Sequence, residues 1–89
     1  MNPRGLEKIL KALANRKRLA ILVYLKKNRE ASVSDITGEI DLSFKSTSKH
    51  LRILSSAEIL ERNQKTHWGY YRLAKKQHPV VKNILSALK

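Results

Sequence analysis

Lys45, Lys49 and Arg52 stand four and three residues apart, a spacing that on an α-helix stacks three cations along one face. Cations placed this way can meet phosphates and base edges in the major groove of a duplex, where Arg or Lys to guanine is the commonest specific pairing. An ordinary solvated helix face has the same spacing. The neighbours favour the first reading. Ser43 can cap the helix, and the hydroxyls of Ser46 and Ser48 flank the stripe, as phosphate-positioning groups do beside base readers. Phe44 can touch a thymine methyl, although packing beside the cap is its more ordinary use.

A second basic segment runs from Arg62 to Arg72, where Arg62, Lys65, His67 and Arg72 surround Trp68 and two tyrosines, with Glu61 immediately beside it. Lys65, Thr66 and His67 fall at its tip and Arg62 on its first limb, positions suited to a nucleic-acid backbone. Tyr71 and Leu73 alternate as the inward positions of a strand.

These segments need elements to hold them. Leu6, Ile9, Leu10 and Leu13 predict a helix over 5–14. Asn15 caps a second over 16–27, whose run from Leu19 to Leu25 is apolar on nearly every side and therefore central. After a polar connection over 28–32, Ser34 is expected to cap a third helix over 35–40. Asp41 and Leu42 turn the chain, and Ser43 opens a fourth helix running to about 56. Thr47, Leu51 and Leu54 share one narrow sector of that helix, opposite the cations. The pattern then changes period into two short strands over 59–63 and 70–74, a β-hairpin. Pro79 starts a last helix with its own stripe of Val81, Ile84, Leu85 and Leu88. The fold expected is mainly α with a small β-hairpin: four helices, two strands and a fifth helix, a winged helix-turn-helix order in a single domain over 1–89.

The 89 residues carry 19 Lys and Arg against 7 Asp and Glu, a formal net charge of +12, which suits a polyanion without selecting one. A hydrophobic fraction of 42% is ordinary for a folded chain, so the charge does not mark a disordered tail. A chain this short buries roughly two-thirds of its unfolded surface and gains from a partner subunit. With no cysteine there is no disulfide and no thiolate metal site. The longest apolar run, Leu19 to Leu25, is far short of the ~20 residues needed to span a bilayer, and residues 1–5 lack the features of a signal peptide. The expectation is a cytoplasmic protein without a membrane partner. The acids are dispersed, with no nucleophile elbow, Walker loop or paired carboxylates, so no catalytic site is expected.

From Leu10 to Lys75 the chain resembles the ArsR/SmtB family of bacterial and archaeal transcription regulators. The resemblance rests on Leu13-Ala-Asn-Arg-Lys-Arg-Leu-Ala-Ile-Leu, Val33-Ser-Asp-Ile, Leu42-Ser-Phe-Lys-Ser-Thr-Ser-Lys-His-Leu-Arg-Ile-Leu, Ile59-Leu-Glu-Arg and Gly69-Tyr-Tyr-Arg-Leu. It implies a homodimeric, DNA-binding regulator, most often a repressor. Many members sense metals, but Ser32 and Ser34 stand where the family's best-known box has cysteines, and hydroxyls are poor ligands for soft metals. A second family site uses His and carboxylates on the last helix. Residues 79–89 contain none, leaving His78 before them. His50 matches a His common in the family's recognition helix and is expected to be structural. No metal site and no cofactor are expected, and the effector stays unknown.

The leading expectation is a sequence-specific regulator of double-stranded DNA acting as a homodimer on a palindromic operator. The alternatives are a non-specific RNA-binding or nucleoid protein and a winged-helix protein-interaction module. The stripes Leu6, Ile9, Leu10, Leu13 and Val81, Ile84, Leu85, Leu88 exceed what so small a core can cover, so 5–14 and 79–88 are expected to form the dimer interface. The resemblance implies the same arrangement.

Overall fold

Helix formation begins earlier than the leucine stripe indicates. In the computed structural model, which describes residues 2–63 and 69–89, the Asn2 side chain accepts a hydrogen bond from the Gly5 amide at 2.8 Å. Pro3, with no amide hydrogen to leave unsatisfied, takes the first position of α1 (Pro3–Leu13). Ile9, Ala12 and Leu13 turn inward. Asn15 caps α2 (Arg16–Lys27) as expected, accepting from the Arg18 amide at 3.1 Å. This helix is central: Ile21 and Leu22 are fully buried, and it packs against α1, the helix-turn-helix pair and the sheet.

The polar connection after α2 is more ordered than its composition suggests. Ala31 and Ser32 form a short strand, β1 (Ala31–Ser32), and Ser32 rather than Ser34 caps α3 (Val33–Ile40). The Ser32 hydroxyl accepts from the Asp35 amide at 3.1 Å while the Asp35 carboxylate accepts from the Ser32 amide at 3.2 Å. That reciprocal box satisfies two amides at once, which Ser34 with Thr37 three residues later cannot match. Asp41, left-handed at φ 59°, ends α3 and turns the chain into α4 (Phe44–Ser56). Ser43 caps α4 as expected, accepting from the Ser46 amide at 3.1 Å.

The hairpin strands are β2 (Leu60–Asn63) and β3 (Tyr70–Leu73), with Leu60 opposite Leu73 and Glu61 opposite Arg72. β1 adds to the far side of β3, pairing Ala31 with Tyr71, so the sheet has three antiparallel strands in the order β1-β3-β2 rather than two. Ile36, Leu51, Leu54 and Ile59 fill the core between α3, α4 and the strands, with Tyr71 and Leu73 packed against its edge.

The last helix, α5 (Pro79–Ala87), is capped by His78, whose Nδ1 accepts from the Val80 amide at 3.1 Å. Lys26 on α2 donates to the Leu85 and Leu88 carbonyls at 2.5 and 2.7 Å, placing a cation at the negative end of the α5 dipole. The two apolar stripes do not stay free throughout. Ile9, Leu13 and Val81, all expected at a dimer interface, are buried in the chain's own core, because α1 packs on α2 and α4 and Val81 of α5 joins the same cluster. Leu10 is 48% exposed, while Leu6, Ile84, Leu85 and Leu88 are half-buried. No helix among the described residues is long and apolar enough to cross a membrane.

Candidate nucleic-acid interface

α4 presents the site because its opposite face is anchored. Thr47, Leu51 and Leu54 are buried, and the Thr47 hydroxyl donates to the Ser43 carbonyl at 2.9 Å. Facing away from them, Lys45, Lys49 and Arg52 are exposed along one side, joined at the helix start by exposed Ser43 and Ser46. Ser48 is half-buried. Phe44, for which packing was the ordinary expectation, is 61% exposed at the first position of α4. The first turn of α4 carries no acid, so the positive end of its dipole adds to the Lys45 charge.

On the sheet, Arg62 is exposed and lies over Gly69. Gly69 adopts φ 63°, the left-handed region that favours glycine. A Cβ there would meet the Arg62 guanidinium at 2.7 Å, but that is the end of an exposed, flexible side chain that can move aside, so it is the backbone that asks for glycine. Arg72, read in sequence as part of the basic segment, donates from Nε to Glu61 at 3.1 Å. Its charge is matched across the strands, unlike that of the α4 stripe. The Glu61 carboxylate also accepts from the Lys75 amide at 3.2 Å, and this bond, then Arg72, holds its pKa below the ordinary carboxylate value. Lys65, Thr66, His67 and Trp68 lie outside the described residues.

His50, expected to be structural, is half-buried on the flank of α4 and meets Arg18. The Arg18 guanidinium donates from Nη1 to His50 Nδ1 at 3.1 Å, from Nε to the Ala12 carbonyl at 2.7 Å and from Nη2 to the Lys11 carbonyl at 3.1 Å. One side chain of α2 thereby ties the end of α1 to the recognition face. Because a guanidinium only donates, Nδ1 must be unprotonated and the neutral ring carries its hydrogen on Nε2. Burial first, then the charges of Arg18 and Lys49, hold the imidazole pKa below its ordinary value. Burial also lowers that of Arg18. Among the described residues, no three His, Asp or Glu side chains come together as a metal site.

The Arg18 clasp is not apparent from the sequence. In the sequence Arg18 is one of three cations, with Arg16 and Lys17, at the head of a helix with an apolar middle, and nothing in the spacing indicates a partner 32 residues away.

Residues 15–62 match the family described as bacterial regulatory protein, arsR family. The chain is 36% identical over 70 residues to the arsenical resistance operon repressor of Bacillus subtilis, an alignment covering 79% of this chain and 67% of that protein. Among solved structures, HlyU from Vibrio cholerae superposes with a TM-score of 0.80 at 29% identity, covering 99% of this chain and 94% of that one. The homodimeric winged helix-turn-helix DNA-binding domain of a Mycobacterium bovis protein gives a TM-score of 0.80 at 27% identity, over 94% of this chain and 74% of the other. With its capped α3–α4 pair, exposed basic stripe and small sheet, the chain belongs to the ArsR family of bacterial regulatory proteins and has the winged helix-turn-helix fold.

Proposed function

We propose that the chain is a cytoplasmic, sequence-specific DNA-binding repressor acting as a homodimer on a palindromic operator. The observation that carries this reading is the exposed stripe of Lys45, Lys49 and Arg52, backed by a buried apolar face and unmatched by any acid on α4. Helix-turn-helix docking sets the first half of the recognition helix deepest in the major groove. Lys45 and Lys49 then read base edges, with Phe44 beside them for a thymine methyl, and Ser43, Ser46 and Ser48 at the groove wall. Arg52 lies one turn later and contacts phosphate. Arg62, Lys65, Thr66 and His67 contact the backbone from the sheet side.

Leu6, Leu10, Ile84, Leu85 and Leu88 form the interface between copies, since they are the parts of the α1 and α5 stripes that the core leaves accessible. The homodimeric relative and the repressor relative support this assembly and sign of regulation. Selection of bound duplexes from a random library tests the proposal. Enrichment of a palindrome is the expected result, and uniform recovery of all sequences would replace it with a non-specific nucleic-acid binder.

A further inference from the structure

Beside the recognition helix, α1 and α4 flank an open surface groove of about 420 Å³, with Arg18 of α2 also in its lining; the volume is within the ~300–1,000 Å³ of small-molecule sites. Ala12 and Ile53 give it apolar walls, and the stems of Lys8, Lys11 and Arg52 extend them. Its charge is one-sided: Lys8, Lys11, Arg18 and Arg52 line it, and no carboxylate does among the described residues.

Arg18 sharpens the point. Its guanidinium is partly buried and directs its hydrogen bonds to two carbonyls and a neutral imidazole, none of which balances its charge. A partly buried cation without a counter-charge is costly, and an anion in the groove would relieve it. The groove also lies away from the accessible apolar side of α1. At about 100° per residue, Lys8 and Lys11 fall on one flank of the buried Ile9–Ala12–Leu13 face, and Leu6 and Leu10 on the other. A second copy docked on Leu6 and Leu10 would leave it open.

We propose that the α1–α4 groove binds a small organic acid with an apolar body, an aryl or short acyl carboxylate. Its carboxylate sits among Lys8, Lys11, Arg18 and Arg52 and its body lies against Ala12 and Ile53. Inorganic phosphate could satisfy the charges but would leave the apolar walls unfilled. Occupancy weakens DNA binding, because the ligand engages Arg52, which the stripe needs for a phosphate. This regulatory half rests on the DNA-binding function proposed above; the binding half does not.

The direct test is titration of the full chain, without DNA, by 1-naphthoate, followed by amide chemical shifts. Parallel titrations use uncharged 1-naphthalenemethanol and inorganic phosphate, and the Lys8→Glu/Lys11→Glu variant, both positions being exposed and its fold checked by circular dichroism. Saturable naphthoate binding with shifts centred on Ala12, Arg18 and Ile53 is expected, about tenfold weaker in the variant and about tenfold weaker for the alcohol. Absence of saturation overturns the site. Equal binding of the alcohol reduces it to an apolar patch, and equal or tighter binding of phosphate reduces it to an anion seat; either overturns the assignment. Naphthoate is then added to a protein–duplex titration. A loss of duplex affinity supports the regulatory half, and unchanged affinity with the groove occupied overturns it alone. If no duplex binds even without naphthoate, the DNA-binding function fails, and with it the regulatory half, while the ligand site stands on its own titration.

Discussion

Arg18 and His50, 32 residues apart in sequence, meet at 3.1 Å between Nη1 and Nδ1, joining the helix at the centre of the core to the helix that carries the basic stripe. The contact exists only while Nδ1 is free to accept, so it ties the docking of α4 to the protonation state of one ring.

The pH dependence follows from that ring. Folding holds the His50 pKa below the unfolded value near ~6.5, so the neutral form is favoured in the native state. Its contribution is present above the unfolded pKa and is lost as pH falls through the folded one. The urea midpoint should therefore drop between about pH 7.5 and pH 5. His50→Asn should show a smaller drop, because its amide oxygen accepts from Arg18 without titrating. Glu61, also held below its ordinary value, contributes in the same direction at lower pH, in the carboxylate range. Identical pH profiles for both proteins would dismiss the ring as the titrating group.

Base readers and phosphate contacts separate in a salt titration. Lys49→Ala should cost about 1–3 kcal/mol on the preferred duplex and flatten discrimination at one position per half-site. Arg52→Ala should weaken matched and scrambled duplexes alike and reduce the salt slope by roughly one unit for each phosphate left without its cation. Equal losses on both duplexes for Lys49→Ala would remove it from the base-reading set.

Leu10 offers a cleaner probe of self-association than the buried members of its stripe. A Leu10→Asp variant should fold normally, because the side chain is 48% exposed in the single chain. It should also sediment as a monomer at concentrations where the parent is a dimer, since an unpaired carboxylate at an apolar contact is strongly unfavourable. A variant that still sediments as a dimer would place the interface elsewhere.

Gly69→Ala tests the backbone of the sheet. A methyl at φ 63° should lower stability by about 1–3 kcal/mol in urea unfolding, because the left-handed backbone is strained for any residue with a Cβ. Removing the Arg62 side chain as well should recover little of that loss, since the exposed guanidinium can swing away from the methyl; substantial recovery would assign the cost to steric overlap instead.

Chelators should leave duplex affinity unchanged. Ser32, one of the two positions that match the family's cysteine box, is committed to capping α3, and Ser32→Ala should cost about 1 kcal/mol of stability rather than alter any metal response. A tenfold change in affinity, ~1.4 kcal/mol, on adding micromolar zinc would reveal ligands that neither serine supplies.

Helix positions are largely legible in the sequence, because periodicity and capping are local: Asn15, Ser43 and Pro79 mark starts that the structure reproduces. The start of α3 is legible too. Ser32 with Asp35 three residues on is the stronger cap, and the expectation of Ser34 passes over it. β1 is not legible, since two residues show no alternation and their partners, Tyr70 and Tyr71, lie far along the chain. The same distance hides the Arg18 clasp, and cross-strand register is needed to see that Arg72 is matched by Glu61. An apolar stripe, finally, reads alike whether its own core or another copy covers it. Only three-dimensional packing separates Ile9 from Leu10.

Ser32 belongs to two elements at once, pairing with Tyr70 in the sheet while capping α3. No spacer stands between them. Strand and helix share a single set of backbone dihedrals at this joint, so the sheet cannot swing independently of the helix-turn-helix pair. The angle between them is built in at the level of one residue. Lengthening this joint by a single glycine should release that angle, converting a rigid bracket into a hinge while leaving the α4 stripe itself intact.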